Sequence, residues 1–304
     1  MASIEEVQKT VGEVARSVEN SVVRIGRGPG RGAGIVVGDG SVLTNAHNLR
    51  GSQVTVTFSD GRSETGTVAG VDVDSDLAVV SVGTAGARAI EWHEGEVELG
   101  TTVFAVTKPP SAEVRVTVGT VSAVGRAFRG PRGRLISGGL EHTAPLARGS
   151  SGSPIVNADG RLLGINTHRL GEGFYLAVPA DAELRGRVDA LARGESPRRL
   201  YLGVALLPTF AARRLRASVG LPERDGLLVR AVDDGGPAAR AGIRTGDLVV
   251  EAGGSTLKSP DDLFEVLGRL AEGEALTLQV VRGTDELEVR VSFDATSGEE
   301  SGSA

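Results

Sequence analysis

Between Val22 and Val178 apolar residues recur at every second position, in short runs that end in turn chemistry such as GDG and SDGRS. A period of two describes a strand with one buried face, and glycine, aspartate and serine clusters between such runs mark hairpins. The spacing predicts strands over 22–27, 32–38, 41–46, 53–58, 63–71 and 76–82. A second set is expected over 101–107, 115–125, 135–142, 154–158, 161–167 and 174–178. No long helical pattern separates the two groups. The expectation is mainly β, with two successive six-stranded antiparallel barrels or sandwiches at about 21–85 and 100–180, not alternating βαβ units.

The flanks differ. Residues 1–20 form an N-terminal helical segment in which Ser3 can cap and Val7, Val11, Val14 and Val18 make one stripe. That stripe needs cover, from the body or from another subunit. A short helix is expected over 181–192. GESPRR (194–199) has linker composition, with Pro197 inside it. Residues 200–293 read as a compact α+β unit: strands 201–205, 226–232, 247–251, 275–281 and 286–293, with helices 236–241 and 260–270. Pro260 suits the start of the second helix. The polar end, 294–304, reads as a disordered tail.

Composition removes whole classes of chemistry. There is no cysteine, which excludes disulfides, thiol catalysis and thiolate metal sites. Aromatics are 3% and the net charge is −6, which oppose base stacking and generic binding to nucleic acid or anionic lipid. The 44 glycines among 304 residues follow no collagen period. No run approaches the roughly 18 apolar residues of a membrane span. The first residues lack the basic flank and apolar run of a signal peptide. The expected location is therefore cytoplasmic, or periplasmic or extracytoplasmic if a targeting segment or anchor was removed.

GRGPGRG (26–32) lacks the lysine and hydroxyl of a phosphate loop and reads as a hairpin. DVDSD (72–76) lacks the glutamate that closes a calcium loop. No metal and no cofactor are expected.

Three polar elements remain. His47 ends an apolar strand in VLTNAHNL; alone it reads as a structural histidine. Asp76 sits before the strand LAVVSV; alone it reads as a turn aspartate, as Asp72 and Asp74 do. GSSGSPIV (149–156) is a small-residue turn leading straight into a strand. Such a turn can aim consecutive N–H groups at one point beside a serine hydroxyl. Serine needs a base, and an imidazole base needs a carboxylate to orient it. His47, Asp76 and Ser151 supply these in order.

TNAHNL (44–49), SDLAVVSV (75–82) and GSSGSPIVN (149–157) resemble the three catalytic blocks of the HtrA/DegP family of chymotrypsin-fold serine proteases. YLGV (201–204) and GPAARAGIRTGDLVVEAGG (236–254) resemble the carboxylate-binding loop and core block of its C-terminal PDZ domain. The resemblance covers residues 22 to about 293. It implies chymotrypsin-like barrels in a protease domain at 21–193, a 194–199 linker and a PDZ domain at 200–293. It implies His47 as general base and acid, Asp76 as its orienter and Ser151 as nucleophile. Gly149 and Ser151 would give the oxyanion amides, and Ser150 is the competing nucleophile. Thr167 would touch the Asp76–His47 pair and border the substrate.

Family members usually carry GNSGGP; here Ser150 and Ser153 replace Asn and the last Gly. Pro145, Leu146 and Ala147, with Thr167 and His168, suggest an uncharged pocket that favours medium aliphatic side chains and rejects Lys or Arg. His168 and Arg169 read equally as pocket rim or solvated loop.

In the PDZ unit a peptide C-terminus would be held by Tyr201, Leu202, Gly203 and Val204, and walled by Leu263, Val266 and Leu267. Leu270 completes that helix's apolar set. The bland reading is that all four are core, and two of them are expected to be, since a helix this short must bury one side. Arg199 either attracts the carboxylate or is linker charge. The implied activity is ATP-independent cleavage of unfolded or misfolded proteins by a homo-oligomer, most often a trimer. The alternative is a chaperone or PDZ scaffold with a resting protease site. An ester hydrolase with the same three residues would lack the G-x-S-x-G elbow.

Overall fold

A computed structural model describes residues 4–27, 32–109, 114–130, 135–171, 173–197, 200–270 and 273–293. Ser3, most of the GPGRG hairpin, Arg199 and the 294–304 tail lie outside the described residues. The chain divides into two compact units, residues 1–197 and 198–304.

In the first unit, β1 (Val22–Ile25), β2 (Gly32–Gly38), β3 (Ser41–Thr44), β4 (Gln53–Thr57), β5 (Ser63–Asp72) and β6 (Leu77–Ser81) close a barrel in the order β1-β2-β3-β6-β5-β4. The alternation read from the sequence sets which side faces in. Val23, Ile25, Val36, Val42, Val56, Phe58 and Val80 fill the interior. A second six follow: β7 (Thr102–Thr107), β8 (Arg115–Arg129), β9 (Leu135–His142), β10 (Pro154–Val156), β11 (Leu162–Arg169) and β12 (Tyr175–Pro179). Their connectivity is barrel-like, in the order β10-β11-β12-β9-β8-β7, with β7 pairing β10 through Ala105 and Phe104. A shared core joins the two sheets, with Val22, Ile35, Leu43 and Val79 against Phe104, Val106, Val156 and Ile165.

Helix α1 (Ile4–Val18) packs on β7 and β8. Val14 and Val18 are buried and Val11 packs partly beside them. Thus the body covers the C-terminal half of the valine stripe. Val7 and Ile4 remain 48% and 87% exposed. Helix α2 (Ala182–Ala192) lies on β5 and β6, with the Asp181 carboxylate capping it by accepting from Leu184 N at 2.8 Å.

The second unit has a sheet in the order β13 (Val204–Leu207), β14 (Leu227–Val232), β15 (Leu248–Ala252), β17 (Leu276–Arg282) and β18 (Asp285–Val291), with β16 (Ser255–Thr256) on β15. Helices α4 (Pro237–Arg240) and α5 (Pro260–Arg269) match expectation in place. Two corrections arise here. The strand expected at 201–205 begins only at Val204, and residues 201–203 are an irregular loop. Helix α3 (Thr209–Ser218) was not foreseen. It buries only Ala212 and Arg216, so no apolar stripe announces it; Phe210 and Leu215 face outward. Arg216 reaches the carbonyls of Pro222 (3.2 Å) and Gly283 (3.3 Å).

Candidate active site

His47 stands just beyond β3, in a 3₁₀ turn over Ala46–Asn48 and not in the strand itself. Asp76 ends the turn before β6 at φ +56°, the only described non-glycine residue in the left-handed region. That conformation is costly for a side-chain-bearing residue, so its surroundings must hold it. The Asp76 carbonyl accepts from Ala46 N (3.1 Å) and Asn45 Nδ2 (3.0 Å). Its carboxylate accepts from His47 N (3.1 Å), His47 Nδ1 (2.7 Å) and Thr167 Oγ1 (2.9 Å). An ionised carboxylate only accepts, so Nδ1 carries the ring hydrogen and Nε2 is left to act as base. Asp76 is 2% exposed, while the His47 side chain keeps 30% exposure.

Ser151 arrives from the other sheet, in the loop before β10. Its carbonyl accepts from Ala33 N (2.8 Å) on β2 and from Asn48 Nδ2 (2.9 Å) beside His47. Asn48 Nδ2 also donates to Thr44 Oγ1 (3.0 Å). These contacts bind the Ser151 loop to the segment that carries His47. The Ser151 hydroxyl donates to the Thr167 carbonyl at 3.2 Å. Ser150 is 5% exposed, whereas Ser151 is half-buried. Burial thus separates the two adjacent hydroxyls.

The loop needs glycine at Gly152. Its φ is +89°, and a Cβ there would stand 2.1 Å from the Ala33 carbonyl oxygen. Ser153 has no positive φ, so replacing the family glycine there strains nothing. Gly149 has φ +83°. Among the described residues neither Gly149 N nor Ser151 N donates to a backbone carbonyl.

The other expected residues scatter in burial. Thr167 is 4% exposed and braces Asp76 with its side chain. Pro145 and Ala147 are exposed, Leu146 is half-buried and His168 is exposed. Asp72, which opens DVDSD, accepts from Asp74 N (3.1 Å) and Ser75 N (3.2 Å) and pairs with Arg187 of α2 (3.2 Å). The sequence reading gave no role to Ala33 or Asn48. Asn48 lies inside the TNAHNL block, the one signal available for it.

In the C-terminal unit, Leu202 is buried, Gly203 has φ +79° and Tyr201 is 55% exposed. Leu263 and Val266 are 2% and 8% exposed and belong to the unit's core. Leu267 and Leu270 are half-buried against the same core.

The family model of trypsin-like peptidase domains matches residues 32–165, and that of PDZ domains matches 202–293. A putative serine protease HhoA of Synechocystis sp. is 33% identical over 277 residues, covering 86% of this chain and 70% of that protein. The chain belongs to the HtrA/DegP family of serine proteases. A probable periplasmic serine endoprotease, DegP-like, of Halomonas elongata is 32% identical over 269 residues. This HtrA/DegP chain spans 56% of the length of that relative. The crystal structure of a serine endoprotease from Yersinia pestis aligns with TM-score 0.67 at 25% identity, over 93% of this chain and 96% of that one. An HtrA-type protease, AlgW, aligns at TM-score 0.69 and 22% identity, which bears on the fold alone. Among the described residues of this family member, no helix is long and apolar enough to cross a membrane.

Proposed function

We propose that this chain is an ATP-independent serine endopeptidase acting on unfolded or misfolded proteins, with His47, Asp76 and Ser151 as its triad. The observation that carries the reading is the His47–Asp76 bond at 2.7 Å, which fixes the tautomer, beside a nucleophile loop tied to the same strand end through Asn48.

In this mechanism the Ser151 hydroxyl turns from the Thr167 carbonyl to His47 Nε2. His47 takes the proton as Oγ bonds to the scissile carbonyl carbon. The amides of Gly149 and Ser151 receive the oxyanion, with Ser150 as a further candidate amide. His47⁺ then gives the proton to the leaving amine as the C–N bond breaks. Water, activated by the same imidazole, hydrolyses the acyl-enzyme and returns the proton to Ser151.

The same proposal takes the protease domain as 21–193, the linker as 194–199 and the PDZ domain as 200–293, with the second sheet as the second closed barrel. The uncharged pocket from Pro145, Leu146, Ala147, Thr167 and His168 favours cleavage after medium aliphatic residues. Tyr201 to Val204 would take a peptide carboxylate, and a homotrimer is the expected assembly. Exposed Ile4 and Val7 on α1 are its candidate contact.

The direct test is digestion of β-casein by this chain and by Ser151→Ala. Cleavage should vanish in the variant; equal cleavage by both would refute the assignment. One observation favours a second reading: the Ser151 hydroxyl rests on the Thr167 carbonyl. A chaperone or peptide scaffold would suppress aggregation with no cleavage by either protein.

A further inference from the structure

Behind the nucleophile loop runs a buried polar chain that the triad does not use. Ser153, Asn166 on β11 and His142 at the end of β9 are 0%, 1% and 0% exposed. Asn166 holds the two residues after the nucleophile through both its backbone and its side chain. Its N donates to the Ser153 carbonyl (2.9 Å) and its carbonyl accepts from Gly152 N (2.7 Å). Its Nδ2 donates to the Ser153 carbonyl (3.1 Å) and to Ser153 Oγ (3.0 Å). The last of these exists only because serine stands where family members usually carry glycine.

On the far side, Asn166 Oδ1 lies 2.8 Å from His142 Nε2. The amide's NH₂ is committed to Ser153, so the atom facing His142 is an acceptor. His142 must therefore carry its hydrogen on Nε2. Its Nδ1 is then bare, and it is buried with no partner. A proton there would make a cation whose new N–H meets no acceptor, and burial holds this imidazole below the usual histidine range. Tyr175 stacks on the ring at 5.7 Å between centroids and fixes its plane.

If the Asn166 amide turned over, its oxygen would face the Ser153 carbonyl and Oγ, and its NH₂ would face an Nε2–H. The amide oxygen would then oppose the Ser153 carbonyl and the NH₂ would oppose the Nε2–H in a dry site, where unmade hydrogen bonds cost most; only the Ser153 hydroxyl could adapt, by donating. The Ser153 carbonyl, which only accepts, and an Nε2–H on His142 favour the same amide orientation from opposite ends.

We propose that His142 and Asn166 are positioning residues for the reaction: His142, neutral and protonated on Nε2, fixes the Asn166 amide, which holds residues 152–153 and so sets Ser151 and its neighbouring amides. This rests on the reading of Ser151 as the nucleophile. His142 touches no reacting atom and acts through Asn166 alone.

The test compares full-length His142→Phe, which keeps a stacked ring and loses the donor, with His142→Gln, which keeps a donor. A fluorogenic peptide with leucine at the cleaved position reports kcat and KM, and the thermal midpoint reports folding. His142→Phe should lower kcat by about tenfold, the scale of one buried hydrogen bond, with KM within about twofold. His142→Gln should restore most of it. Unchanged kcat in His142→Phe, or equal impairment in both folded variants, would overturn the proposal. Independently of either variant's folding, ¹⁵N spectra of histidine-labelled Ser151→Ala protein should show His142 protonated at Nε2 and bare at Nδ1. The opposite tautomer would also overturn it. Cleavage that survives in Ser151→Ala would instead sink the underlying reading, and the tautomer would still be decided.

Discussion

Asp76 does two jobs in one residue. Its backbone sits at φ +56°, a position that costs about 1–3 kcal/mol for non-glycine residues. Its carbonyl and carboxylate together accept five bonds, from Ala46, Asn45, His47 twice and Thr167, which hold it there. Thr167→Val removes one donor to a buried carboxylate while keeping the side chain's shape. It should lower kcat by about ten- to a hundredfold, since a bond to a charged group contributes about 1.5–3 kcal/mol. Steady-state peptide kinetics check this, and an unchanged kcat would count against Thr167 as brace. His142 predicts a pH effect on stability. Its folded pKa lies below the ordinary 6.5, chiefly through desolvation, so the unfolded chain binds the proton first. This contribution is full above pH 6.5 and is lost as pH falls below it, until the folded imidazole also protonates. Denaturant midpoints at successive pH values should fall more steeply for the parent chain than for His142→Gln. At this scale the sequence spoke through motif blocks. His47, Asp76 and Ser151 were legible as candidates because an activated serine needs a base and an orienter, and the resemblance to the family's three blocks singles them out. Asn48 and Asn166 were not, because their bonds depend on how two distant segments meet: Asn48 grips a carbonyl 103 positions away.

Elements explain why those residues stay put. The turn between β5 and β6 carries Asp76, and α2 leans on it. Arg187 pairs with Asp72 (3.2 Å) and bonds the Ser75 hydroxyl, while Asp72 gathers the turn's amides. The Leu191 backbone lies against Gly70, where a Cβ would come within 2.5 Å of its carbonyl. Ser196 Oγ accepts from Val71 N at 2.9 Å. Arg187→Leu should therefore reduce kcat/KM by up to about fivefold, because its side chain is 40% exposed and such pairs contribute little beyond about 1 kcal/mol. Arg187→Lys should recover part of that loss, and equal values for all three proteins would separate α2 from the acid turn. The strands were legible because alternation reports burial directly. Helix α3 was not, because it buries an alanine and an arginine and shows its phenylalanine to solvent. The 3₁₀ turn under His47 escaped for another reason: three residues are too few to set a period.

At the scale of the whole molecule, two units have separate cores. Leu227, Leu248, Leu276 and Leu278 serve only the C-terminal sheet and its helices, whereas Val14, Ile35, Phe104 and Leu162 serve the N-terminal unit. Calorimetry should resolve two transitions, and Leu278→Ala should lower one midpoint and leave the other. A single transition shifted as a whole would mean the units unfold together. GESPRR has linker composition, and the chain divides into its two units at residues 197 and 198. The meeting of both sheets in one site was legible only through the family resemblance, since strand alternation says which face is buried and not which sheet covers it. The central claim is that the two sheets assemble one activated serine. It is tested most directly by labelling the full chain with a fluorophosphonate and locating the adduct by mass spectrometry. The account predicts one adduct, on Ser151, absent in Ser151→Ala and strongly slowed in His47→Ala. An adduct on Ser150, or labelling of Ser151 at the same rate without His47, would contradict it.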